Sequence, residues 1–162
     1  MIVSSLEEAR AFLTARRIAV VGVSRDAKDF SRYVLRELLA RGLDAVPVSP
    51  VLSEAEGRAA SPSVRDVSPA PDAALLLVPA QRAAEAVRDC LAAGVRKIWL
   101  HRGGGPGAAS EEAIALCREA GVEPVQGLCP FMALPGAAFP HRLHGAVRRA
   151  FGRSPSAPAG AR

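Results

Sequence analysis

The chain has 162 residues, 49% of them apolar, and a net charge of +5, and arginine supplies nearly all of its cations. This length allows one domain with a sizeable core, and no apolar run approaches the roughly 20 residues of a membrane-spanning helix. The first 17 residues lack the continuous apolar segment of a secretory signal peptide. We therefore expect one cytoplasmic domain with no membrane partner.

In chain order, short apolar runs alternate with amphipathic segments. A first helix over residues 4–16 begins at a capping box, Ser4 with Glu7 or Ser5 with Glu8. Five strands are predicted at Ile18–Val23, Asp44–Val48, Ala73–Val78, Arg96–His101 and Val122–Gln126, with helices at Ser31–Arg41, Gln81–Ala93 and Glu111–Ala120. The alternation predicts an α/β fold, a doubly wound five-stranded parallel sheet with helices on both faces. We expect the strand order 3-2-1-4-5, with the switch point between the first and fourth strands. Ligands are expected at the carboxyl ends of the strands there, at Gly22–Ser24, Ser49–Pro50, Val78–Pro79 and His101–Arg102.

Beyond the fifth strand the pattern changes. Pro140 begins a predicted C-terminal helix over about residues 140–151, with an apolar stripe and basic residues on its other faces. Residues 153–162 are dominated by Ser, Pro, Ala and Gly, which predicts a disordered tail. The domain is therefore expected to span residues 1–152. The basic helix lacks the interleaved aromatic residues of a nucleic-acid interface, so we expect no nucleic-acid partner.

The three cysteines form no CxxC pair and no zinc-type spacing with histidine, so no metal site is predicted. Cys90 and Cys117 fall on the apolar stripes of predicted helices and are expected in the core. Cys129 lies in a predicted loop. It is either a buried thiol or, if exposed near an arginine or a helix N-terminus, a reactive one with a lowered pKa.

The loop between the first strand and its helix is the predicted ligand site. A strand–loop–helix unit places backbone N–H groups and a helix N-terminus against a phosphate, and Arg25 and Lys28 add cations. A dinucleotide is disfavoured, because the strand ends in the single glycine Gly22 instead of GxGxxG. The second strand also lacks an acidic residue for the ribose. The alternatives are local: Gly22 makes a tight turn, Ser31 caps the helix, and the cations are solvated.

Four segments, in order, carry a resemblance: Ile18-Ala-Val-Val-Gly-Val-Ser24, Pro47-Val-Ser-Pro50, Trp99-Leu-His101 and Cys129-Pro130. Over about residues 15–130 the chain resembles the single-domain CoA-binding proteins. That family shares its Rossmann-like fold with the N-terminal domain of the succinyl-CoA synthetase α subunit. The resemblance implies CoA or an acyl-CoA as the cofactor.

The resemblance also implies the site. The first loop would lie against the CoA phosphates, the turn Pro47–Pro50 would hold the adenosine, and Leu77–Pro79 would line the adenine side. Ser49 stands where the family usually has Asn, and His101 where it often has Gln. The expected binding residues are Gly22, Val23, Ser24, Arg25, Lys28, Ser31, Pro47, Val48, Ser49, Pro50, Val78, Pro79 and His101.

Three hypotheses for function follow. The first is binding of CoA or an acyl-CoA at the carboxyl ends of the strands, without catalysis by this chain itself. The second is a small nucleotide-dependent enzyme that uses His101 or Cys129. The third is an interaction module whose basic C-terminal helix meets an acidic partner. A homo-oligomer stays open in all three.

Overall fold

The protein is described by a computed structural model, which covers residues 3–102 and 107–136. Its centre is a sheet of five parallel strands, and a small antiparallel hairpin, β3 with β4, follows the second strand. The strands are β1 (Ile18–Val21), β2 (Ala45–Val48), β3 (Glu54–Ala55), β4 (Arg58–Ala59), β5 (Ala73–Leu76), β6 (Lys97–Leu100) and β7 (Val125–Gln126). The predicted α/β class, with its five-stranded parallel sheet, is confirmed.

Helices cover both faces of the sheet, as predicted. They are α1 (Leu6–Phe12), α2 (Phe30–Ala40), α3 (Ala80–Ala92), α4 (Glu111–Glu119) and α5 (Pro130–Ala133), with one 3-10 turn at Val64–Asp66. The capping box of α1 is formed by Ser5 and Glu8. Within the described ranges, no helix is long and apolar enough to span a membrane. The predicted C-terminal helix at 140–151 and the tail at 153–162 lie outside the described residues.

Alternating side chains of the strands build two cores. On the α2 face, Ile18, Val20 and Trp99 pack against α1, α2 and α5, and on the α3 face, Val21 and Leu76 pack against α3 and α4. A strand buried on both faces has to be apolar at every position, which is why these strands are continuous apolar runs. The two helical cysteines, Cys90 and Cys117, are fully buried in the α3 face, as predicted.

The strand order is β2–β1–β5–β6–β7, which is 2-1-3-4-5 in the predicted strands, so the predicted order 3-2-1-4-5 is wrong. Helix α2, in the connection from β1 to β2, packs on one face of the sheet. In the connection from β2 to β5, Val64 and Val67 are buried on the opposite face, against α3. Right-handed crossovers on opposite faces step in opposite directions along a sheet. β5 therefore lies beside β1, and the switch point lies between these two strands, so the predicted switch point between the first and fourth strands is wrong.

Short segments run along both outer strands of the sheet. Beside β2, the Ser61 amide donates to the Pro47 carbonyl oxygen at 3.0 Å, and the Ser49 amide donates to the Ser61 carbonyl oxygen at 2.9 Å. Beside β7, the Ser4 amide donates to the Gln126 carbonyl oxygen at 2.9 Å, and the Gln126 amide donates to Ser4 Oγ at 3.1 Å. Ser4, although it precedes α1, is thus part of the folded domain.

Candidate functional site at the carboxyl ends of the strands

The segments after four neighbouring strands are joined by backbone hydrogen bonds. The amides of Gly22 and Val23, after β1, donate to the carbonyl oxygen of Val48, at the end of β2, at 3.0 and 3.3 Å. After β5, the Leu77 amide donates to the Val21 carbonyl oxygen at 2.8 Å. After β6, the His101 amide donates to the Leu76 carbonyl oxygen at 3.1 Å. The four predicted site segments therefore meet at one edge of the sheet.

Gly22 lies at the switch point, where the loop after β1 comes close to the segment after β5. Its φ is +94°, and a Cβ there would lie 2.8 Å from both the Leu77 carbonyl oxygen and Val78 Cγ1. No L-residue fits this position without displacing backbone, because 2.8 Å is well inside the contact distance of carbon and oxygen. Gly22 thus lets the first loop approach the segment after β5, which is a structural role whether or not a ligand is bound.

The first loop is organised by its own side chains. The Ser24 amide donates to Ser31 Oγ at 3.0 Å, and the Ser31 amide donates to Asp29 Oδ1 at 2.8 Å. The prediction that Ser31 caps the helix is wrong. The cap is Asp29, because α2 begins at Phe30 and residue 29 has the extended backbone of a cap. Ser31 is instead the buried second residue of the helix, where its Oγ accepts a hydrogen bond from the Ser24 amide.

The predicted site residues divide by exposure. Ser49 is 2% exposed, and its Oγ accepts a hydrogen bond from the Val51 amide at 3.4 Å, so it stabilises the turn after β2 from within. The members of the predicted set that a ligand can contact without rearrangement are those with exposed or half-buried surface. The buried members are Val23, Ser31, Pro47, Val48 and Ser49, the half-buried ones are Gly22, Ser24, Val78 and His101, and the exposed ones are Arg25, Lys28, Pro50 and Pro79.

Comparison with known protein families matches residues 16–135 to the CoA binding domain. The chain belongs to this family. The match covers the whole edge of the sheet described above, from the start of β1 to the end of α5.

Solved structures share the fold of this CoA-binding domain. A conserved hypothetical protein from Pyrococcus furiosus is 32% identical with a TM-score of 0.63, over 70% of this chain and 95% of that one. A hypothetical protein from Pyrococcus horikoshii is 28% identical with a TM-score of 0.72, over 80% and 89%. The dinucleotide forming acetyl-coenzyme A synthetase 1 of Ca. Korarchaeum cryptofilum is 29% identical with a TM-score of 0.60, over 67% of this chain and 25% of that one. The resemblance to CoA-binding proteins is therefore confirmed at the level of the family.

Three packed rings, His101, Phe30 and Phe131, line the β6 side of the candidate site in this CoA-binding domain. The sequence analysis did not predict their contact. The His101 ring stacks on Phe30 with centroids 4.8 Å apart and planes 16° apart, and Phe30 meets Phe131 edge-on at 5.7 Å. Burial lowers the pKa of His101, and a hydrogen bond with the Leu128 backbone opposes this only in part. Its Nδ1 is buried and has no hydrogen-bond partner among the described residues. His101 is thus a neutral, packed imidazole at neutral pH.

We expect the stability of the domain to fall as the pH drops below 6.5, the ordinary pKa of histidine. Below this pH, the histidine of the unfolded chain takes up a proton that the packed His101 ring of the folded domain resists. The contribution of His101 to the free energy of unfolding is therefore complete above pH 6.5 and is lost as the pH falls below it. Thermal unfolding followed by circular dichroism from pH 7.5 to 5.5 measures this, with a decrease in Tm on the order of a few degrees. In His101→Gln the decrease over this range should largely vanish. An equal decrease in both proteins would assign it to other groups.

Cys129 does not have the lowered pKa of a reactive thiol. It is the residue before α5, where burial raises the pKa of its thiol, and hydrogen bonds from the amides of Phe131 and Met132 oppose that effect incompletely. The hypothesis of a lowered pKa is therefore wrong, because desolvation of the thiolate outweighs the amides that face it. Within the described ranges, no three His, Cys, Asp or Glu side chains cluster so as to hold a metal ion.

A cleft of about 450 Å³ opens at the opposite edge of the sheet, at the amino ends of the strands. Arg16 there already pairs with Asp72 at 3.3 Å. Helices α1 and α3 both end beside this cleft, so their carbonyl oxygens bring partial negative charge to it. Arg96 and Lys97 also line this cleft, so its charge alone does not exclude an anion. Doubly wound sheets bind their ligands at the carboxyl ends of the strands, so the carboxyl edge stays the candidate site.

Proposed function

We propose that the domain binds CoA or an acyl-CoA in the crevice at the β1/β5 switch point. The observation that supports this most strongly is the coincidence of two independent features. The CoA binding domain match spans residues 16–135, and the ends of β1, β2, β5 and β6 come together within that range. Doubly wound sheets bind their ligands at the carboxyl ends of strands at such a switch point.

The first loop would hold the diphosphate through its cations. The amides of Gly22, Val23 and Ser24 already donate within the chain, at 3.0, 3.3 and 3.0 Å. Arg25 and Lys28 are exposed and follow these amides in the same loop. Charge-assisted hydrogen bonds from such cations are stronger than neutral ones. We therefore assign the phosphates chiefly to these two side chains.

The turn after β2 and the segment after β5 would hold the adenosine. Pro50 and Pro79 are exposed, rigid and apolar, and Val78 is half-buried beside Gly22. Flat apolar surfaces of this kind suit the faces of an adenine ring. The buried Ser49 takes part by holding the turn in shape, so its replacement of the family's usual Asn need not disrupt the pocket.

We further propose that this chain binds its ligand without catalysing a reaction on its own. Burial raises the pKa of the Cys129 thiol, and the His101 ring packs against Phe30 with its Nδ1 unpartnered among the described residues, so no carboxylate orients it as a general base. A nucleophilic cysteine needs a stabilised thiolate, usually beside a cation. Neither a thiolate nor an imidazolium is favoured at this site.

Calorimetric titration with CoA, and with NAD and ATP as comparators, tests the proposal. We expect CoA to bind most tightly, and Arg25→Ala to weaken it by about tenfold through loss of one charge-assisted phosphate contact. Arg88→Ala is the matched control, since it removes an arginine that pairs with Glu112 on the α3 side at 2.8 Å. A preference for NAD, or an equal effect of both substitutions, would contradict this assignment.

A further inference from the structure

Two arginines of α2 converge on one carboxylate beside the candidate site. Arg32 Nη2 lies 2.7 Å from Glu56 Oε1, and Arg36 Nε lies 2.7 Å from Glu56 Oε2. The side chains of Arg32 and Glu56 are 14% and 17% exposed, so this contact is largely withdrawn from water. Hydrogen bonding from Arg36 is the main cause that lowers the pKa of Glu56. The cluster carries two positive charges against one negative charge.

Both guanidinium groups also donate hydrogen bonds to the first loop. Arg32 Nη1 donates to the Ser24 carbonyl oxygen at 3.2 Å, and Arg36 Nη2 donates to the Ala27 carbonyl oxygen at 2.6 Å. The Arg36 guanidinium lies 5.0 Å from the centre of the Tyr33 ring. The two guanidinium groups are therefore held around the place of the carboxylate partly by contacts that do not involve Glu56.

Glu56 reaches this place from the tip of the β3–β4 hairpin. It has a φ of +51° and is followed by Gly57 at +75°, which together make a two-residue hairpin turn. Each strand of the hairpin has two residues, so few backbone hydrogen bonds hold its tip in place. Such a tip can move with little loss of structure, because a two-stranded hairpin this short is marginal by itself.

The cluster connects the two segments assigned to different parts of CoA. The arginines bond to Ser24 and Ala27 of the first loop, which the proposed function assigns to the diphosphate. The hairpin leads directly to Ser61, which is hydrogen-bonded to Pro47 and Ser49 of the turn assigned to the adenosine. In CoA the ribose joins adenine to the diphosphate and carries a phosphate monoester on its 3′-oxygen. A group on that ribose falls between the two segments.

We propose that Arg32 and Arg36 bind the 3′-phosphate of CoA, and that Glu56 occupies their site until this phosphate displaces it. The inference rests on the proposed function. A phosphate monoester carries up to two negative charges and three acceptor oxygens, so it matches two guanidinium groups better than one carboxylate does. Arg32 and Arg36 would then distinguish CoA from dephospho-CoA, and Glu56 would weaken the binding of CoA alone by competing with its 3′-phosphate for the two arginines.

The test is a calorimetric comparison of CoA and dephospho-CoA at fixed ionic strength, because salt screens such contacts. For the wild type we expect CoA to bind about tenfold more tightly than dephospho-CoA. Arg32→Met and Arg36→Met should each remove most of this preference by weakening CoA alone. Glu56→Gln should tighten CoA binding by about threefold and leave dephospho-CoA unchanged. Arg88→Met, which breaks the exposed ion pair with Glu112, is the control and should change the affinity for neither ligand.

The gain in Glu56→Gln matters most, since a damaged fold cannot produce tighter binding. Equal affinities of the wild type for the two ligands would overturn the inference and leave the proposed function standing. The same holds if the arginine variants weaken both ligands alike, or if Glu56→Gln weakens CoA, for the cluster would then only fasten the hairpin. If neither CoA nor dephospho-CoA binds, the proposed function is overturned, and this inference with it.

Discussion

Trp99→Ala lowers the free energy of unfolding by about 3–5 kcal/mol, the usual range for removing a large buried aromatic side chain. Trp99 is 0% exposed at the centre of the α2 face, and its ring meets Phe12 edge-on with centroids 5.3 Å apart. The substitution leaves a cavity between β6 and α1 that neighbouring side chains cannot fill. Urea denaturation followed by circular dichroism measures the loss. Tryptophan fluorescence cannot be used, because the variant lacks the only tryptophan of the chain.

Trp99→Phe separates packing from hydrogen bonding. It keeps an aromatic ring against Phe12 but loses the Nε1–H that donates to the Leu128 carbonyl oxygen at 3.3 Å. We expect a smaller loss, on the order of 1–2 kcal/mol, from one hydrogen bond and reduced volume. Similar losses in both variants would mean that the hydrogen bond to Leu128, and not burial of the ring, is what Trp99 contributes.

Gly22→Ala lowers the free energy of unfolding by about 3 kcal/mol, combining strain at a positive φ with a clash against backbone. The new methyl group would lie 2.8 Å from the Leu77 carbonyl oxygen, which belongs to the segment after β5 and cannot rotate away. Relief of the clash requires the ends of β1 and β5 to separate. We therefore expect CoA binding to weaken as well, in urea denaturation and calorimetry on the same preparation.

Gly42→Ala is the matched control for this prediction. Gly42 has a φ of +74°, but a Cβ there would meet nothing within 4 Å. It should show the conformational strain alone, about 1 kcal/mol, with unchanged ligand binding. If Gly22→Ala proves no more harmful than Gly42→Ala, the close approach of the first loop to Leu77 is not important for stability.

The order of the main elements was accessible from the sequence, because β1, β2 and β5 are short apolar runs followed within three residues by Gly or Pro, and α2, α3 and α4 each have an apolar stripe. The strand order was not, because it depends on which face receives the segment between β2 and β5. Val64 and Val67 decide that question by packing in the α3 face. Two apolar residues around a single 3-10 turn carry no periodicity from which a face can be predicted.

The candidate site was predictable in its segments but less so in its individual contacts. Ser31 and Asp29 are both residues that cap helices well, and the choice depended on where α2 begins. Phe30 and Phe131 are far apart in sequence, so their contact beside His101 follows only from the tertiary fold. The Glu56–Gly57 pair is a hairpin signal, but the two-residue strands beside it are too short to show alternation.

The serine segments along the outer strands have a consequence for association between molecules. Exposed strand edges promote aggregation by pairing with other chains. Here Pro47 removes one N–H donor from β2, and Ser61 occupies acceptor and donor positions next to it. At the other edge, β7 has only two residues, and Ser4 bonds to both backbone groups of Gln126. The sheet therefore offers little for another strand to extend, and removal of residues 1–4 would expose β7 to intermolecular pairing.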